Sequence, residues 1–297
     1  MIAEYRKYEN DSEHMHPKPF NKPGRFWRGN LHTHSNRSDG KLEPEEVCYR
    51  YKSEGYDFIA LTDHFTGIYN YPITDTRNFR DSAFTTMLGA ELHSGAMENG
   101  ELWHILAVGL PLDFSPSNSP TFLPVNGQET GSEIAQRAAD TGAFVTIAHP
   151  QWSALTMADA RSIDAAHALE VYNHGCAVEC DRPDGFSILD RLLSEGRPLT
   201  AIATDDAHFK ASDHFGGWVM VRAQENTPES LLQALKDGEF YSTQGPHIYE
   251  MEVTDSELNV CCSAVSTVIV QADGSATAVT HGSSMTKASV SLGRCQH

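Results

Sequence analysis

The chain has 297 residues, of which 40% are hydrophobic, so it can bury a substantial core. Its formal net charge of −18, from 40 acidic and 22 basic residues with no run of Lys and Arg, argues against nucleic acid as its main partner. The start carries no charged-then-apolar leader, no apolar segment could span a bilayer, and the six cysteines are scattered. We therefore expect a cytoplasmic protein with free thiols and no membrane partner.

The first predicted strand covers residues 25–32. Its last residue, His32, is followed by Thr33 and a second histidine, His34. Because side chains at positions i and i+2 of a strand point the same way, His32 and His34 can face one point. Asp39 follows in a Ser-Asp-Gly turn that can fold it back towards the same point. This pattern indicates a metal site, although two hydrogen-bonded histidines in a half-buried strand would also produce it.

Strands alternate with helices along most of the chain. Apolar runs predict further strands at residues 58–62, 87–90, 103–109, 143–148, 168–172, 199–204 and 218–221. Helices are predicted at residues 43–54, 132–141, 186–195 and 227–237. This alternation predicts an α/β fold with a parallel sheet, either wound on both faces or closed into a barrel, and in both cases ligands gather at the carboxyl ends of the strands.

Polar residues that could bind metal follow most of these strands. They are Asp63, His64, Glu91, His149, Asn173, Asp206 and His208, whereas His104 lies near the start of its strand. Each alone has an ordinary explanation, such as a loop ion pair or a helix cap. Together they supply imidazoles and carboxylates for two or three divalent cations, and mixed nitrogen and oxygen ligands suit zinc, iron or manganese.

Composition divides the chain into three parts. Residues 1–24 are polar and rich in proline, which is typical of an N-terminal arm. Residues 25–248 contain the alternating strands and helices. After Tyr249 the chain has no aromatic residue and is dominated by Ser, Thr and Val, so residues 249–297 are predicted to form a small β-rich extension of a few short strands.

Six short motifs, the first of which has two parts (residues 31–35 and 38–40), occur in order between residues 31 and 208. They are Leu31-His32-Thr33-His34-Ser35, Ser38-Asp39-Gly40, Leu61-Thr62-Asp63-His64, Gly89-Ala90-Glu91, His104-Ile105-Leu106, Ala148-His149-Pro150 and Asp205-Asp206-Ala207-His208. In these motifs the sequence resembles the polymerase and histidinol phosphatase (PHP) family of metal-dependent hydrolases. Residues 55–65 and 240–246 further resemble the branch of that family that includes carbaryl-hydrolase-like enzymes.

The resemblance implies a distorted seven-stranded (β/α) barrel with a three-metal site at its mouth. The implied ligand sets are His32, His34, Glu91 and Asp206 for the first metal, Glu91, His104 and His149 for the second, and Asp39, His64 and His208 for the third. Glu91 would thus bridge two metals.

Four further residues are weaker candidates. Asp63 is predicted to orient a ligating imidazole. Arg37 is predicted to hold a phosphate oxygen, although a solvated surface arginine is the alternative explanation. His174 follows a strand end and could reach the substrate, although an ordinary loop histidine is as good an explanation. His93 could approach the site, but His104 fits the motif better.

These features predict a hydrolase acting on a small-molecule substrate. Clustered cations would lower the pKa of a bridging water and so supply a hydroxide nucleophile, and the chain has no G-x-S-x-G motif. Family resemblance and Arg37 favour phosphoesters. The branch resemblance and an expected apolar pocket around Trp152 and Tyr172 favour carbamates or aryl esters instead. A non-catalytic metal-dependent binding module would require a broken ligand set, and none is visible. The sequence does not indicate the oligomeric state.

Overall fold

The computed structural model describes residues 16–293 and residue 295, so the first fifteen residues of the predicted N-terminal arm lie outside the described residues. The strands are β1 (Arg25–Asn30), β2 (Phe58–Leu61), β3 (His64–Phe65), β4 (Thr85–Leu92), β5 (Ile105–Val108), β6 (Phe144–Ile147), β7 (Ala168–Asn173), β8 (Thr200–Thr204), β9 (Trp218–Ala223), β10 (Phe240–Thr243), β11 (Ile248–Val253), β12 (Glu257–Gln271) and β13 (Thr277–Ser291). The helices are α1 (Pro44–Ser53), α2 (Gly131–Asp140), α3 (Met157–Ser162), α4 (His174–Cys180), α5 (Phe186–Ser194) and α6 (Pro228–Lys236).

The main sheet curls into a nearly closed barrel. Its strand order is β10-β9-β1-β2-β4-β5-β6-β7-β8, with the short strand β3 beside β4. The two end strands meet at Ser242, whose hydroxyl donates to Ala201 O at 2.7 Å and accepts from Ala203 N at 3.2 Å. The predicted mixed α/β barrel is confirmed, with more strands than the seven that the resemblance implies.

Two strands of the barrel run against the others. The pairs β1–β2, β2–β4, β6–β7 and β7–β8 are parallel, but β5 is antiparallel to both β4 and β6, and β9 is antiparallel to both β1 and β10. The prediction of a parallel sheet is therefore wrong for β5 and β9. Residues 93–104, which join β4 to β5, contain no helix, and a parallel neighbour needs a long crossover that is usually helical.

Helix ends follow local sequence signals. At α2, Thr130 Oγ1 accepts from Glu133 N while the Glu133 carboxylate accepts from Thr130 N, which forms a capping box. The same arrangement of Thr156 and Asp159 begins α3, and Asn173 caps α4. Helices α3 and α4 were not predicted because six or seven residues are too few to show a helical periodicity.

Four of the ten strands of the main sheet, β2, β3, β5 and β6, are buried along their whole length. All four residues of β2 are buried, and the Phe58 ring lies so close to the neighbouring strand that a Cβ at Gly29 would approach it to 2.0 Å. Glycine at position 29 is therefore required for this packing. Helix α6 covers this region through Leu231 and Leu235, which belong to the same buried cluster as Phe58.

The C-terminal extension is an antiparallel sheet in the order β11-β12-β13. Strands β12 and β13 have 15 residues each, so the prediction of a few short strands is wrong in length. They stay continuous because the pairing of β12 with β13 shifts register on either side of Val265 and then resumes. The described end of the arm lies against both parts of the protein, since His16 Nδ1 is 2.9 Å from Met251 O and the Phe20 ring packs on Phe26. Across the described ranges, every helix is too short or too polar to cross a membrane.

Candidate metal centre

The first two histidines converge as their spacing predicts. Strand β1 ends at Asn30, but the extended backbone continues beside residues 205–207, where His32 O accepts from Asp206 N and His34 N donates to Ala207 O, both at 2.9 Å. The Nε2 atoms of His32 and His34 consequently lie 3.1 and 2.9 Å from one oxygen, Asp206 Oδ1. Three polar groups from two distant segments thus meet at one point.

Glu91 is fully buried near the end of β4, and its two oxygens face different neighbours. Its Oε2 atom lies 2.6 Å from His64 Nδ1 and 3.6 Å from the Nε2 atoms of both His32 and His34. One carboxylate oxygen therefore faces three imidazoles from two strand ends.

The other oxygen, Glu91 Oε1, faces a second pair of imidazoles. It lies 2.6 Å from His104 Nδ1 and 3.2 Å from His149 Nε2. His104 reaches this edge because β5 is antiparallel, so the start of β5 lies beside the end of β4, with Leu92 opposite Ile105. The apparent exception in the sequence, a histidine before its strand rather than after it, follows from strand direction.

A third group lies towards the surface. Asp39 Oδ1 is 3.1 Å from His208 Nε2 and 3.4 Å from His64 Nε2, while Asp39 Oδ2 is 3.0 Å from Lys210 Nζ. The predicted turn brings Asp39 here, since the next residue, Gly40, donates its amide to Ser35 O and a Cβ at that glycine would lie 2.7 Å from the backbone of His34.

His93 lies in the cluster together with His104. Its ring is buried, with Nε2 at 2.9 Å from His64 Nδ1 and Nδ1 donating to Trp103 O at 3.0 Å. Four ligand atoms from His64, Glu91, His93 and His104 lie within 4.8 Å of one another. His93 and His104 were alternatives for one position in the sequence analysis, but the structure places both in the cluster.

The donor set fits divalent cations. Among the described residues, four buried polar atoms of this cluster make no well-aligned hydrogen bond, although three of them lie close to an ionisable neighbour: His32 Nε2, His34 Nδ1, Asp39 Oδ1 and Glu91 Oε2. Buried polar groups are costly unless they are paired, and a cation bound by imidazole and carboxylate would satisfy them. The group His34, Asp39, His64 and His208 and the group His32, His34 and Glu91 are each compact enough to hold one ion.

Charge and burial oppose each other at these residues. Burial alone would raise the pKa of Glu91, but the facing imidazoles of His64 and His104 hold that pKa well below its ordinary range. Burial lowers the pKa of His34 to about 3, helped by the neighbouring imidazoles of His208 and His64. Glu91 is thus held as an anion and His34 as a neutral imidazole, which are the forms that bind metal.

Glu170 was missed by the sequence reasoning. This fully buried carboxylate in β7 lies 3.0 Å from His32 Nδ1, and it also accepts from His149 N at 2.7 Å and from Asn173 Nδ2 at 2.9 Å. Burial alone would lower the pKa of His32, but Asp206 and Glu170 raise it well above its ordinary value. A charged residue inside the otherwise apolar run at residues 168–172 was the signal that could have revealed it.

Two candidate ligands have strained backbones. His149 has φ of +23° and Asp206 has φ of +55°, which are uncommon for residues other than glycine. Each is held by a buried amide hydrogen bond, from His149 N to Glu170 and from Asp206 N to His32 O. Such strain is typical of positions where surrounding structure fixes a functional side chain.

Asp63 does not orient an imidazole, which corrects the prediction. In the part of the chain that the structure describes, its carboxylate accepts from Ser35 N at 2.7 Å and from the hydroxyls of Ser35, Ser38 and Thr74 at 2.8–3.0 Å. It therefore anchors the loop that carries Asp39. Its position directly before His64 in the sequence had suggested contact with an imidazole rather than with this loop.

Arg37 and His174 are not brought into the cluster. Arg37 is exposed and its guanidinium lies 3.2 Å from the Glu43 carboxylate, in a surface cavity lined by none of the candidate ligands. Its predicted contact with a phosphate oxygen stays a prediction. His174 begins α4, and its Nδ1 lies 3.0 Å from the Tyr172 hydroxyl. Its substrate contact stays a prediction.

Comparison with known proteins agrees with this geometry. Residues 30–174 match the family described as PHP domain. The chain is similar to the crystal structure of a two-domain protein from Bacteroides vulgatus ATCC 8482, described as containing a predicted PHP-like metal-dependent phosphoesterase, with 16% identity, a TM-score of 0.54, and coverage of 96% of this chain and 90% of that one. At this identity the similarity supports the fold.

Two further solved structures are more distantly similar. PsfC from Pseudomonas syringae PB-5123 has 12% identity and a TM-score of 0.48, over 74% of this chain and 92% of that one. An amidohydrolase from Chromobacterium violaceum, with bound sulfate and no metal, has 15% identity and a TM-score of 0.44, over 61% and 87%. The search of curated proteins found no match. The family match excludes residues 206 and 208, which only the fold places beside the other candidate ligands.

Proposed function

We propose that this chain is a metal-dependent hydrolase that holds two or three divalent cations of zinc, iron or manganese and acts on small-molecule phosphoesters. The placement of Glu91 carries the proposal, because its carboxylate is fully buried and its two oxygens face separate sets of imidazoles. A carboxylate so placed is suited to bridge two cations.

The proposed ligand sets are those that the family resemblance implies, and the distances between their members support them. The first cation would be held by His32, His34, Glu91 and Asp206, the second by Glu91, His104 and His149, and the third by Asp39, His64 and His208. His93 would complete the second or third set. Cations bound there would supply a water of lowered pKa as the nucleophile and would polarise the ester group under attack.

Charged residues around the cluster would hold both ions and substrate. Glu91 and Asp206 supply buried negative charge that offsets the cations, and Glu170 fixes the ring of His32 through its Nδ1 atom. Lys210, whose Nζ lies 3.0 Å from Asp39 Oδ2, is a second cation besides Arg37 that would attract a phosphate oxygen. This arrangement supports phosphoesters as the substrate class.

A second candidate function is the hydrolysis of carbamates or aryl esters on the same metals. It is favoured by Trp152, whose ring centroid lies 4.8 Å from His149 and 5.3 Å from His104. The other residue of the predicted apolar pocket, Tyr172, is engaged with His174. The carbaryl-hydrolase-like branch accordingly stays a proposal.

A substrate panel tests the proposal. The chain is purified without chelator, reconstituted separately with manganese, iron and zinc, and assayed on 4-nitrophenyl phosphate, bis(4-nitrophenyl) phosphate, 4-nitrophenyl acetate and 1-naphthyl methylcarbamate. We expect the largest kcat/KM on a phosphoester, its loss with EDTA and its recovery on adding metal. Preference for the carbamate or acetate would instead establish the second candidate.

Matched variants separate the site from a contaminant. Glu91→Gln should abolish turnover, whereas Glu101→Gln, at an exposed position in the β4–β5 connection, should leave it unchanged. Equal activity of the two variants, or activity that resists exhaustive chelation, would refute a metal-dependent reaction at this cluster.

A further inference from the structure

Two aromatic side chains remain exposed beside the candidate metal centre. Trp152 is 43% exposed and Phe122 is 37% exposed, although large apolar side chains usually bury more of their surface. Trp152 lies in the turn after His149, and Phe122 lies in the long loop at residues 111–129. Neither exposure is explained by the packing of the barrel core.

The two rings cover the two halves of the cluster. Trp152 makes edge contacts with His104 and His149, the imidazoles that face Glu91 Oε1. Phe122 lies 5.0 Å from the His64 ring and 5.5 Å from the His93 ring, which are on the Oε2 side. Each aromatic residue thus borders a different face of the same carboxylate.

The distance between the two halves is short. The rings of His93 and His104, which contact Phe122 and Trp152 respectively, are 4.3 Å apart. Tyr69 lies 6.0 Å from Phe122 and extends the aromatic surface outward. Planar aromatic groups pack well on such surfaces, with centroid distances of about 4.5–7 Å. Exposed aromatic surface therefore lies directly against imidazoles that face the buried Glu91 carboxylate.

We infer that Trp152 and Phe122 bind a planar aromatic portion of the substrate while its anionic or ester group faces the metal ligands. The substrate class is then an aryl ester, whether of a phosphoric or a carbamic acid. This inference rests on the proposed function, because the ester group must lie at the metals.

Binding of two inert phosphonates tests the inference without turnover. Metal-reconstituted protein is titrated with phenylphosphonate and with methylphosphonate, which carry the same anionic group, by calorimetry and by tryptophan fluorescence. Of the four tryptophans, Trp103 and Trp218 are buried and Trp27 is half-buried, so Trp152 is the most exposed reporter, and the Trp152→Phe variant identifies its share of the signal. We expect phenylphosphonate to bind about five- to tenfold more tightly and to change the fluorescence of Trp152.

Variants assign that preference to the two rings. Trp152→Ala and Phe122→Ala should each remove most of it, and Trp152→Phe should retain much of it because an aromatic surface is kept. Leu123→Ala is the matched control, since Leu123 adjoins Phe122 and is 72% exposed. An unchanged preference in both alanine variants, or none in the parent protein, would overturn the inference even if the protein hydrolyses phosphoesters. Failure to retain metal would instead overturn the proposed function, and the inference with it.

Discussion

Glu91 and Glu170 are both buried carboxylates, but their hydrogen bonds differ. Glu170 accepts from His32, His149 N, Asn173 Nδ2 and the Thr204 hydroxyl, so its charge is fully compensated by protein donors. Glu91 Oε2 makes no well-aligned hydrogen bond among the described residues, and its close neighbours are the imidazoles of His64, His32 and His34. The first pattern is that of a residue that orients a ligand, and the second is that of a ligand.

Replacing Glu170 should therefore weaken metal binding without removing a ligand. Glu170→Gln keeps the shape of the side chain but removes the negative charge that faces His32 Nδ1. The hydrogen bond that orients the His32 ring is then weaker, so we expect affinity for the first metal to fall about 10- to 100-fold. The measurement is a competitive chelator titration, with thermal unfolding recorded alongside. Exposed Glu195→Gln, whose carboxylate pairs with Arg161, serves as control. Unaltered affinity with an unaltered fold would show that Glu170 is not an orienting residue.

His208 gives the metal-free protein a defined pH dependence. Burial alone would lower the pKa of His208, but Asp39 and Asp206 raise it from 6.5 to about 9. A raised folded-state pKa stabilises the fold fully below the unfolded value and ceases to do so as pH rises to the folded value. The thermal stability in EDTA should therefore fall between pH 6.5 and pH 9.

The stabilisation that bound metal gives should have the opposite pH dependence and increase with pH. Binding requires the neutral imidazole, so cations should stabilise the protein more at pH 9 than at pH 6.5. The check is the unfolding temperature at both pH values, with EDTA and with manganese. His208→Gln should flatten the decline seen in EDTA. A parent protein that gains stability with pH in EDTA would contradict the assignment.

At the scale of elements, the loop between β1 and α1 carries Asp39 and is anchored by Asp63. That carboxylate accepts four hydrogen bonds, three of them from the loop residues Ser35 and Ser38. Burial raises the pKa of Asp63, and the hydrogen bonds from these donors oppose that rise by stabilising the carboxylate. The loop is therefore coupled to the strand end that also delivers His64.

Asp63→Asn should loosen this loop. An amide cannot accept from all four donors, and each lost hydrogen bond to a buried charge costs about 1.5–3 kcal/mol. We expect a lower unfolding temperature and weaker binding of the third metal, measured by chemical denaturation and by a chelator titration. Asp75→Asn, which alters an exposed pair with Arg77 in the following loop, should change neither. Full binding of the third metal in Asp63→Asn would show that the anchor is dispensable.

Strands and helices with strong local signals could be predicted from the sequence, and their spacing also predicted which residues converge. The apolar run ending at Leu61 and the helices α2 and α6 are examples. The direction of β5 could not be predicted, because an apolar run of four residues looks the same in either direction. Glu170 was missed for a related reason, since its partners lie 138 and 21 residues away in the chain.

At the scale of the whole molecule, closure of the barrel brings the first and the last of the metal-binding motifs together. Asp206 and His208 follow β8, while His32 and His34 follow β1, and the intervening strands place them in contact. The acidic composition, with a formal net charge of −18, accords with a site that concentrates cations. Exclusion of nucleic acid stays a prediction from that charge.

Metal content measured per chain tests the central claim most directly. Protein purified without chelator and supplemented with manganese, iron or zinc is desalted and analysed by elemental mass spectrometry. We expect two to three ions per chain in the parent, a loss of more than one in Glu91→Gln because two sites share this carboxylate, and a loss of about one in Asp39→Ala. Less than one ion in the supplemented parent, or full content in Glu91→Gln, would contradict the shared carboxylate at the centre of the site.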